Sequence, residues 1–159
     1  VIGHCGIGHT RWATHGEPSE LNAHPHVSDD MNVVAVHNGI IENYQELKDK
    51  LIRKGYTFYS QTDTEILTKL VDYYYKKYQI GPIDAIAKTM VRVRGSYALC
   101  VMFKDYPGQV WAARKDSPMI IGVENDEIEM NVLYEFKETG EEKGKVIFQT
   151  LSCKQANQK

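Results

Sequence analysis

The sequence has little excess charge, few cysteines and no long apolar run. Its 159 residues carry a formal net charge of −2, so no basic surface for nucleic acid is predicted. No apolar run approaches the roughly 18 residues that a membrane-spanning helix needs, so no membrane partner is expected. The three cysteines are widely spaced and odd in number, which argues against a disulfide framework and favours a reducing, cytoplasmic setting.

The sequence also lacks the motifs of the common cofactor sites. It has no phosphate-binding loop and no dinucleotide-binding glycine pattern. A proline separates His24 from His26, and no cysteine or carboxylate stands at ligand spacing from them, so a zinc site is not favoured. We therefore expect no cofactor and no metal. The chain opens on Val1 rather than Met, so we expect a fragment of a longer protein.

The overall composition is that of a soluble globular domain, with 42% hydrophobic and 25% charged residues. A chain of this length is expected to form one ordinary domain with a real core. The composition changes after Val123, where acidic residues outnumber basic ones. We therefore predict a domain over residues 1–123 and a divergent acidic C-terminal segment over residues 124–159.

Apolar periodicity predicts strands and helices in a mixed order. A β-branched run predicts a buried strand at residues 33–36, and helices are predicted over residues 43–54, from Thr62 and from Gly81. Thr62 and Glu65 have the spacing of a capping box. Further strands are predicted at residues 3–8, 56–59, 96–103, 110–113, 119–123, 132–136 and 146–151. This order indicates an α+β layered domain rather than a doubly wound sheet.

The first of three dense polar stretches occupies residues 9–16. Arg11 is a fixed cation whose forked donors suit a carboxylate, although an ordinary ion pair would explain it equally well. Trp12 is most simply a core residue. Thr14 and His15 could contact a ligand or only end a strand.

The other two stretches occupy residues 37–39 and 62–65. Asn38 and Gly39 could supply two donors to a tetrahedral oxyanion, or they could form a common Asn-Gly turn. Asp63 could bind a ligand ammonium group, or it could only interact favourably with a helix dipole. Cys5 is the cysteine nearest to these stretches, and a buried free thiol is its default interpretation. No obvious nucleophile is present.

These stretches together resemble the glutaminase domains of the glucosamine-6-phosphate synthase family, which are class II glutamine amidotransferases. The resemblance covers approximately residues 3–123 and is very specific. It is carried, in order along the chain, by residues 9–19, 22–26, 36–43, 60–65, 94–98, 112–114 and 117–118.

The resemblance implies an α+β fold of the N-terminal nucleophile hydrolase type, an αββα sandwich, here N-terminally truncated. In that family an N-terminal cysteine attacks the side-chain amide of glutamine, and its own α-amino group is the base. The segment that carries this cysteine would lie upstream of Val1. Cys5 matches a position inside a strand of the family and has no α-amino group of its own, so we reject it as the nucleophile and expect the isolated chain to be inactive.

Carried over by position, the resemblance assigns roles to seven residues. Arg11 and Thr14 would hold the glutamine carboxylate, and Asp63 would hold the α-ammonium group. Asn38 and Gly39 would form the oxyanion hole. The pocket would be lined by Trp12 and His15.

The resemblance also implies partners for the parent protein. Ammonia would pass to a C-terminal sugar-phosphate isomerase domain, where fructose 6-phosphate becomes glucosamine 6-phosphate, and the parent would be a cytoplasmic homo-oligomer. Two alternatives stay open. One is a non-catalytic module that binds glutamine or docks a partner, and the other is the glutaminase domain of a different enzyme, such as an amidophosphoribosyltransferase.

Overall fold

The computed structural model describes residues 3, 5–11 and 16–122, and it describes two further strands by their backbone. The elements are β1 (His26–Val27), β2 (Val33–Gly39), α1 (Tyr44–Ile52), α2 (Asp63–Tyr78), α3 (Pro82–Arg92), β3 (Tyr97–Phe103), β4 (Gln109–Lys115), β5 (Ile128–Lys137) and β6 (Lys145–Cys153). The three expected helices are confirmed, and so are the strands expected at residues 33–36, 96–103, 110–113, 132–136 and 146–151.

The strands form one antiparallel sheet in the order β1-β2-β3-β4-β6-β5. Its centre is the β2–β3 pair, in which Ala35 lies opposite Val101 and Gly39 lies opposite Tyr97. The strands β5 and β6 fall within the predicted acidic segment, and β6 continues the sheet beyond β4. The division of the chain after residue 123 stays a prediction.

The core lies between one face of the sheet and the helices. On β3, alternate side chains are buried, namely those of Tyr97, Leu99, Val101 and Phe103. Helix α2 packs on β2, with α1 and α3 beside it. The α+β class is thus confirmed, and the described residues contribute one sheet and its helical layer to the expected sandwich.

The N-terminus of α2 is fixed by side chains, but not by a full capping box. The Thr62 hydroxyl accepts from the backbone N–H of Glu65, as predicted. The Glu65 carboxylate does not return to Thr62. It accepts instead from the N–H of Tyr59 at 3.0 Å, the N–H of Ser60 at 2.7 Å and the hydroxyl of Ser60 at 2.6 Å. Glu65 therefore ties the incoming chain, rather than the cap residue, to the helix.

This bonding explains why the predicted strand at residues 56–59 is wrong. The segment has the right apolar pattern, but side chains take up its backbone groups. Asp29 accepts from the N–H of Thr57, the Lys69 ammonium donates to the carbonyl of Thr57, and Glu65 accepts from Tyr59. With these backbone groups occupied, the segment forms no ladder with a neighbouring strand.

Two other predicted strands are also wrong. Residues 118–122 take no regular structure, and Ile120 is 96% exposed, so its apolar side chain does not join the core. Residues 5–8, which contain Cys5, run without strand pairing. Gly6 and Gly8 both lie exposed in this stretch, and exposed glycines favour an irregular backbone over a packed strand.

The part of the chain that the structure describes contains no helix with the length and apolar character of a membrane span.

Candidate functional site

A cavity of about 290 Å³ opens where β2 ends and α2 begins. The polar stretches that the sequence singles out meet here, because the carboxyl end of β2 and the N-terminus of α2 face the loop around Arg11. The described residues that line the cavity are His9, Arg11, His24, His37, Asn38, Gly39, Ile40, Thr62, Asp63 and Thr64.

Asn38 and Gly39 are the last residues of β2 and pair with Ala98 and Tyr97. They do not form a hairpin turn, so the Asn-Gly turn that the sequence left open is wrong. Gly39 has φ +116°, and a Cβ there would overlap the carbonyl oxygen of Ser96 and lie 2.7 Å from Cα of Tyr97. Only glycine fits this position, which brings bare backbone to the cavity wall.

Asp63 is the first residue of α2, and it is only 4% exposed. Its Oδ2 accepts from the backbone N–H of Ile41 at 3.1 Å, and its Oδ1 lies 3.8 Å from Nδ1 of His37. The hydrogen bond from Ile41 thus fixes the carboxylate while it lines the cavity. Its place in the first turn of a helix also lets the helix dipole stabilise its charge.

Arg11 supplies a cation to the same cavity from a loop. Its backbone has φ +52°, a left-handed conformation that is uncommon for a residue with a side chain. Its guanidinium donates to the carbonyl of Gly16 at 2.9 Å and to that of Glu17 at 3.1 Å. The Glu17 carbonyl also accepts from Asn22, whose Oδ1 in turn accepts from the N–H of Gln61 at 2.9 Å. Asn22 therefore ties the Arg11 loop to the segment before Asp63.

Histidines form one side of the cavity. The Thr64 hydroxyl lies 3.0 Å from Nδ1 of His37 and 3.0 Å from Nε2 of His24. The rings of His9 and His24 pack against each other with their centroids 4.5 Å apart and their planes tilted by 34°. Burial lowers the pKa of His24 to about 3 and that of nearby His26 to about 4. Both rings are therefore neutral near pH 7, so His24 adds hydrogen-bonding groups to the cavity without adding charge.

His9 contacts two of the predicted site residues. Its Nε2 lies 2.6 Å from Oδ1 of Asn38, and its Nδ1 accepts from the backbone N–H of Arg11 at 2.9 Å. The sequence presented His9 only as part of the first polar stretch. Its role as a contact of Asn38 follows from the fold, which places two segments of the chain together that are 29 residues apart.

The cavity brings together four of the seven predicted site residues: Arg11, Asn38, Gly39 and Asp63. The other three, Trp12, Thr14 and His15, lie outside the described residues. Sequence reasoning gave no site role to six lining residues, although all of them stand in or beside the quoted motifs: His9, His24, His37, Ile40, Thr62 and Thr64. A cation, a carboxylate and an amide at one cavity suit a small zwitterion with a polar side chain.

The two cysteines whose side chains are described lie elsewhere. Cys5 lines a second cavity of about 410 Å³, together with Met31, Val34 and Met102. Cys100 is on β3, where burial raises the pKa of its thiol. Neither cysteine lines the cavity that holds Arg11 and Asp63. Among the described residues, no group of three His, Cys, Asp or Glu side chains is placed to bind a metal ion.

The chain is similar in sequence to known enzymes. The chain is 53% identical over 126 residues to glutamine–fructose-6-phosphate aminotransferase (isomerizing) of Clostridium acetobutylicum, which covers 79% of this chain and 20% of that protein. It is 51% identical over 130 residues to the protein of the same name from Pyrococcus horikoshii, covering 80% of this chain and 21% of that protein. The chain thus spans only about a fifth of the length of these curated relatives.

The fold is also found in a solved structure. Glutamine phosphoribosylpyrophosphate amidotransferase from B. subtilis superposes with a TM-score of 0.54 at 21% identity, covering 88% of this chain and 26% of that one. This likeness confirms the fold of the N-terminal nucleophile amidotransferases. The family model for the glutamine amidotransferase domain matches residues 9–130, which include all of the cavity-lining residues. The chain belongs to the glutamine amidotransferase domain family.

Proposed function

We propose that the cavity binds L-glutamine, and that the whole protein hydrolyses the side-chain amide of glutamine to supply ammonia. The observation that carries this proposal is the convergence of Arg11, Asn38, Gly39 and Asp63 on one cavity from three separate parts of the sequence. Glutamine has one anionic group, one cationic group and one polar amide, and each finds a complementary group among these residues.

The zwitterionic end of glutamine is bound by the two charged residues. The Arg11 guanidinium binds the α-carboxylate through charge-assisted hydrogen bonds, and the family resemblance assigns Thr14 to the same group. The Asp63 carboxylate binds the α-ammonium group, and its burial strengthens this interaction by limiting the screening by water. The family resemblance also assigns Trp12 and His15 to the lining of the glutamine pocket.

The amide end of glutamine is bound by Asn38 and Gly39. The side-chain amide of Asn38 and the backbone N–H of Gly39 donate to the carbonyl oxygen of the substrate. In the reaction the same donors stabilise the oxyanion of the tetrahedral intermediate, a contribution of about 3 to 4 kcal/mol for a single donor in a comparable site. Asn38 and Gly39 are therefore the proposed catalytic residues of this chain.

The nucleophile of the whole protein is an N-terminal cysteine whose own α-amino group takes up the thiol proton. Cys5 and Cys100 lie outside the cavity, which supports the proposal that neither of them attacks glutamine. We therefore expect this chain by itself to bind glutamine without hydrolysing it.

In the whole protein, the ammonia aminates fructose 6-phosphate to give glucosamine 6-phosphate on a C-terminal sugar-phosphate isomerase domain. The names of the relatives support this acceptor, and their greater length leaves room for that domain. We further propose that the protein is a cytoplasmic homo-oligomer.

Calorimetric titration with two ligands tests the proposal. L-glutamine carries an α-ammonium group, whereas glutaramate has the same chain without it. Wild-type protein should prefer glutamine, and Asp63→Asn should lose about 10- to 100-fold in glutamine affinity, which is the value of a charged hydrogen bond. Glutaramate affinity should not change. Equal losses for both ligands, or no glutamine binding by the wild type, would overturn the proposal.

A second assay tests the assignment of the nucleophile. Wild-type chain and the Cys5→Ala variant are incubated with glutamine, and glutamate release is measured. Neither protein should release glutamate. Release by the wild type that Cys5→Ala abolishes would show that Cys5 is the nucleophile after all.

A further inference from the structure

The hydrogen bonds of His9 define which ring nitrogen carries its proton. The backbone N–H of Arg11 can only donate, and it points at Nδ1 of His9 from 2.9 Å. Nδ1 must therefore be unprotonated and act as the acceptor. In the neutral ring the single proton then sits on Nε2.

This tautomer defines the orientation of the Asn38 amide. The protonated Nε2 of His9 donates across 2.6 Å, so its partner on Asn38 must be the carbonyl oxygen Oδ1. The reverse arrangement, with the Asn38 amide donating to Nε2, would require a proton on Nδ1 that faces the N–H of Arg11. The amide group Nδ2 of Asn38 is consequently turned away from His9, and it makes no hydrogen bond with any described residue.

His9 is itself held in place from several sides. The left-handed backbone of Arg11, with φ +52°, directs its N–H at the ring. The His9 ring also packs against the ring of His24, with the centroids 4.5 Å apart, and the Thr64 hydroxyl lies 3.0 Å from Nε2 of His24. Asn38 is by contrast exposed, and among the described residues only the hydrogen bond with His9 orients its side chain. Without His9, the Asn38 amide could rotate freely about χ2.

We propose that His9 is a positioning residue, which holds Oδ1 of Asn38 and thereby presents the Nδ2 donors of Asn38 to the side-chain carbonyl of glutamine. The inference rests on the proposed function for the identity of the ligand, but not for the orientation of Asn38. His9 itself does not touch the reacting amide. It also couples the two ends of the substrate site, since the same ring binds the backbone of Arg11 and the side chain of Asn38.

Replacing His9 with asparagine or with glutamine distinguishes the roles of its two hydrogen bonds, one with Arg11 and one with Asn38. In His9→Gln, the longer amide can still donate to Oδ1 of Asn38. In His9→Asn, the shorter side chain can accept from the N–H of Arg11 but does not reach Asn38. Only His9→Asn should therefore release the Asn38 amide, although both variants remove the imidazole.

The first test is NMR spectroscopy of the ligand-free protein, which is independent of glutamine binding. Long-range ¹H–¹⁵N spectra should show His9 protonated at Nε2 and not at Nδ1. The two Nδ2 protons of Asn38 should shift strongly in His9→Asn and little in His9→Gln. Protonation at Nδ1, or an Asn38 amide that does not respond to His9→Asn, would overturn the inference.

The second test measures binding selectivity between L-glutamine and L-norvaline. Norvaline has the same α-groups and an apolar side chain of similar length, so it needs no donor from Asn38. The preference for glutamine over norvaline should fall about five- to tenfold in His9→Asn, which keeps the bond to Arg11 and therefore leaves norvaline affinity unchanged. In His9→Gln, which loses the bond to Arg11, the preference should be largely kept even where both affinities fall together. An unchanged preference in His9→Asn would contradict the inference. If the wild type bound neither amino acid, the proposed function would fail, whereas the NMR result would still decide the orientation of Asn38.

Discussion

The residues of the pocket come from two regions that are held in place differently. The framework side consists of Asn38, Gly39 and Asp63, which stand at the ends of β2 and α2. The loop side consists of His9 and Arg11, which belong to no helix or strand. Packing and ladder hydrogen bonds fix the framework side, whereas side-chain bonds to backbone carbonyls and rings fix the loop side.

This difference predicts that substitutions on the framework side lower the stability of the fold, whereas substitutions on the loop side mainly weaken ligand binding. Changes on the framework side disturb the core, since β2 and α2 pack on one another there. Changes on the loop side remove a few hydrogen bonds at a half-buried surface, so they should affect binding more than folding. The predictions below test this division, in order of decreasing effect.

The largest effect is expected from Gly39→Ala. The methyl group would overlap the carbonyl of Ser96 at a backbone φ of +116°, so β2 and β3 would have to separate locally. We expect a loss of more than about 4 kcal/mol in the free energy of unfolding, measured by urea denaturation, together with loss of glutamine binding.

Gly55→Ala is the matched control for Gly39→Ala. Gly55 also has positive φ, +91°, but a Cβ there would meet no atom within 4 Å. Gly55→Ala should therefore lower the free energy of unfolding by only about 1 to 2 kcal/mol, which is the cost of a left-handed backbone alone. Equal losses of unfolding free energy in the two variants would show that the close packing around Gly39 does not stabilise the framework side.

The next largest effect is expected from Lys69→Met. Lys69 and Glu65 are 1% and 0% exposed, and the Lys69 ammonium lies 2.6 Å from Glu65 and 2.8 Å from Asp29. Removing the ammonium group leaves the buried Glu65 carboxylate without a counter-charge, which should lower the free energy of unfolding by about 3 to 5 kcal/mol. Thermal or urea unfolding measures this loss.

Glu46→Gln provides the control for Lys69→Met. Glu46 pairs with Arg94 at 3.2 Å, and both side chains are exposed. Glu46→Gln should therefore lower the free energy of unfolding by less than about 1 kcal/mol. If Lys69→Met lowered the free energy of unfolding as little as Glu46→Gln, the contact between Lys69 and Glu65 would not be what fixes residues 59–60 ahead of Asp63.

A smaller effect is expected when the pH is lowered. The folded-state pKa of His26 is about 4, because burial disfavours the charged ring, whereas its unfolded value is 6.5. Below pH 6.5 the unfolded chain therefore binds the proton first, and stability falls until the pH nears 4. His26 contributes a slope of up to about 1.4 kcal/mol per pH unit in that window, and His24 adds a contribution of the same sign.

The variant His26→Gln should flatten this pH dependence. His26 bonds to the cap residue Thr62 at 2.7 Å, so the variant will also lower stability at neutral pH. The slope, and not the absolute stability, is therefore the relevant measurement. An unchanged slope between pH 6.5 and 4 would refute the neutral, buried state of His26.

The smallest effect on stability is expected from Arg11→Lys. Lysine keeps the charge but loses the fork that bonds the carbonyls of Gly16 and Glu17. We expect a change in unfolding free energy of less than about 1 kcal/mol, but a loss of about tenfold in glutamine affinity by calorimetry. A large loss of stability would remove the contrast between the loop side and the framework side.

The sequence predicted the framework side better than the loop side. The N-cap at Thr62 and the β-branched run before His37 are local signals, and both elements are confirmed. The false strand at residues 56–59 shows the limit of such signals, since the partners of its backbone are the distant Asp29 and the helix side chains of Glu65 and Lys69. The contact between His9 and Asn38 likewise depends on tertiary packing, which no local pattern predicts.

The most direct test of the central claim is a ¹H–¹⁵N NMR titration of the chain with L-glutamine. One glutamine bound between the two sides should shift the resonances of Arg11, the Asn38 side-chain amide, Gly39 and Ile41, whose N–H donates to Asp63. All four should follow one binding curve. Shifts confined to the second cavity around Cys5, or no saturable shift at either side, would contradict the claim that the two sides form one glutamine site.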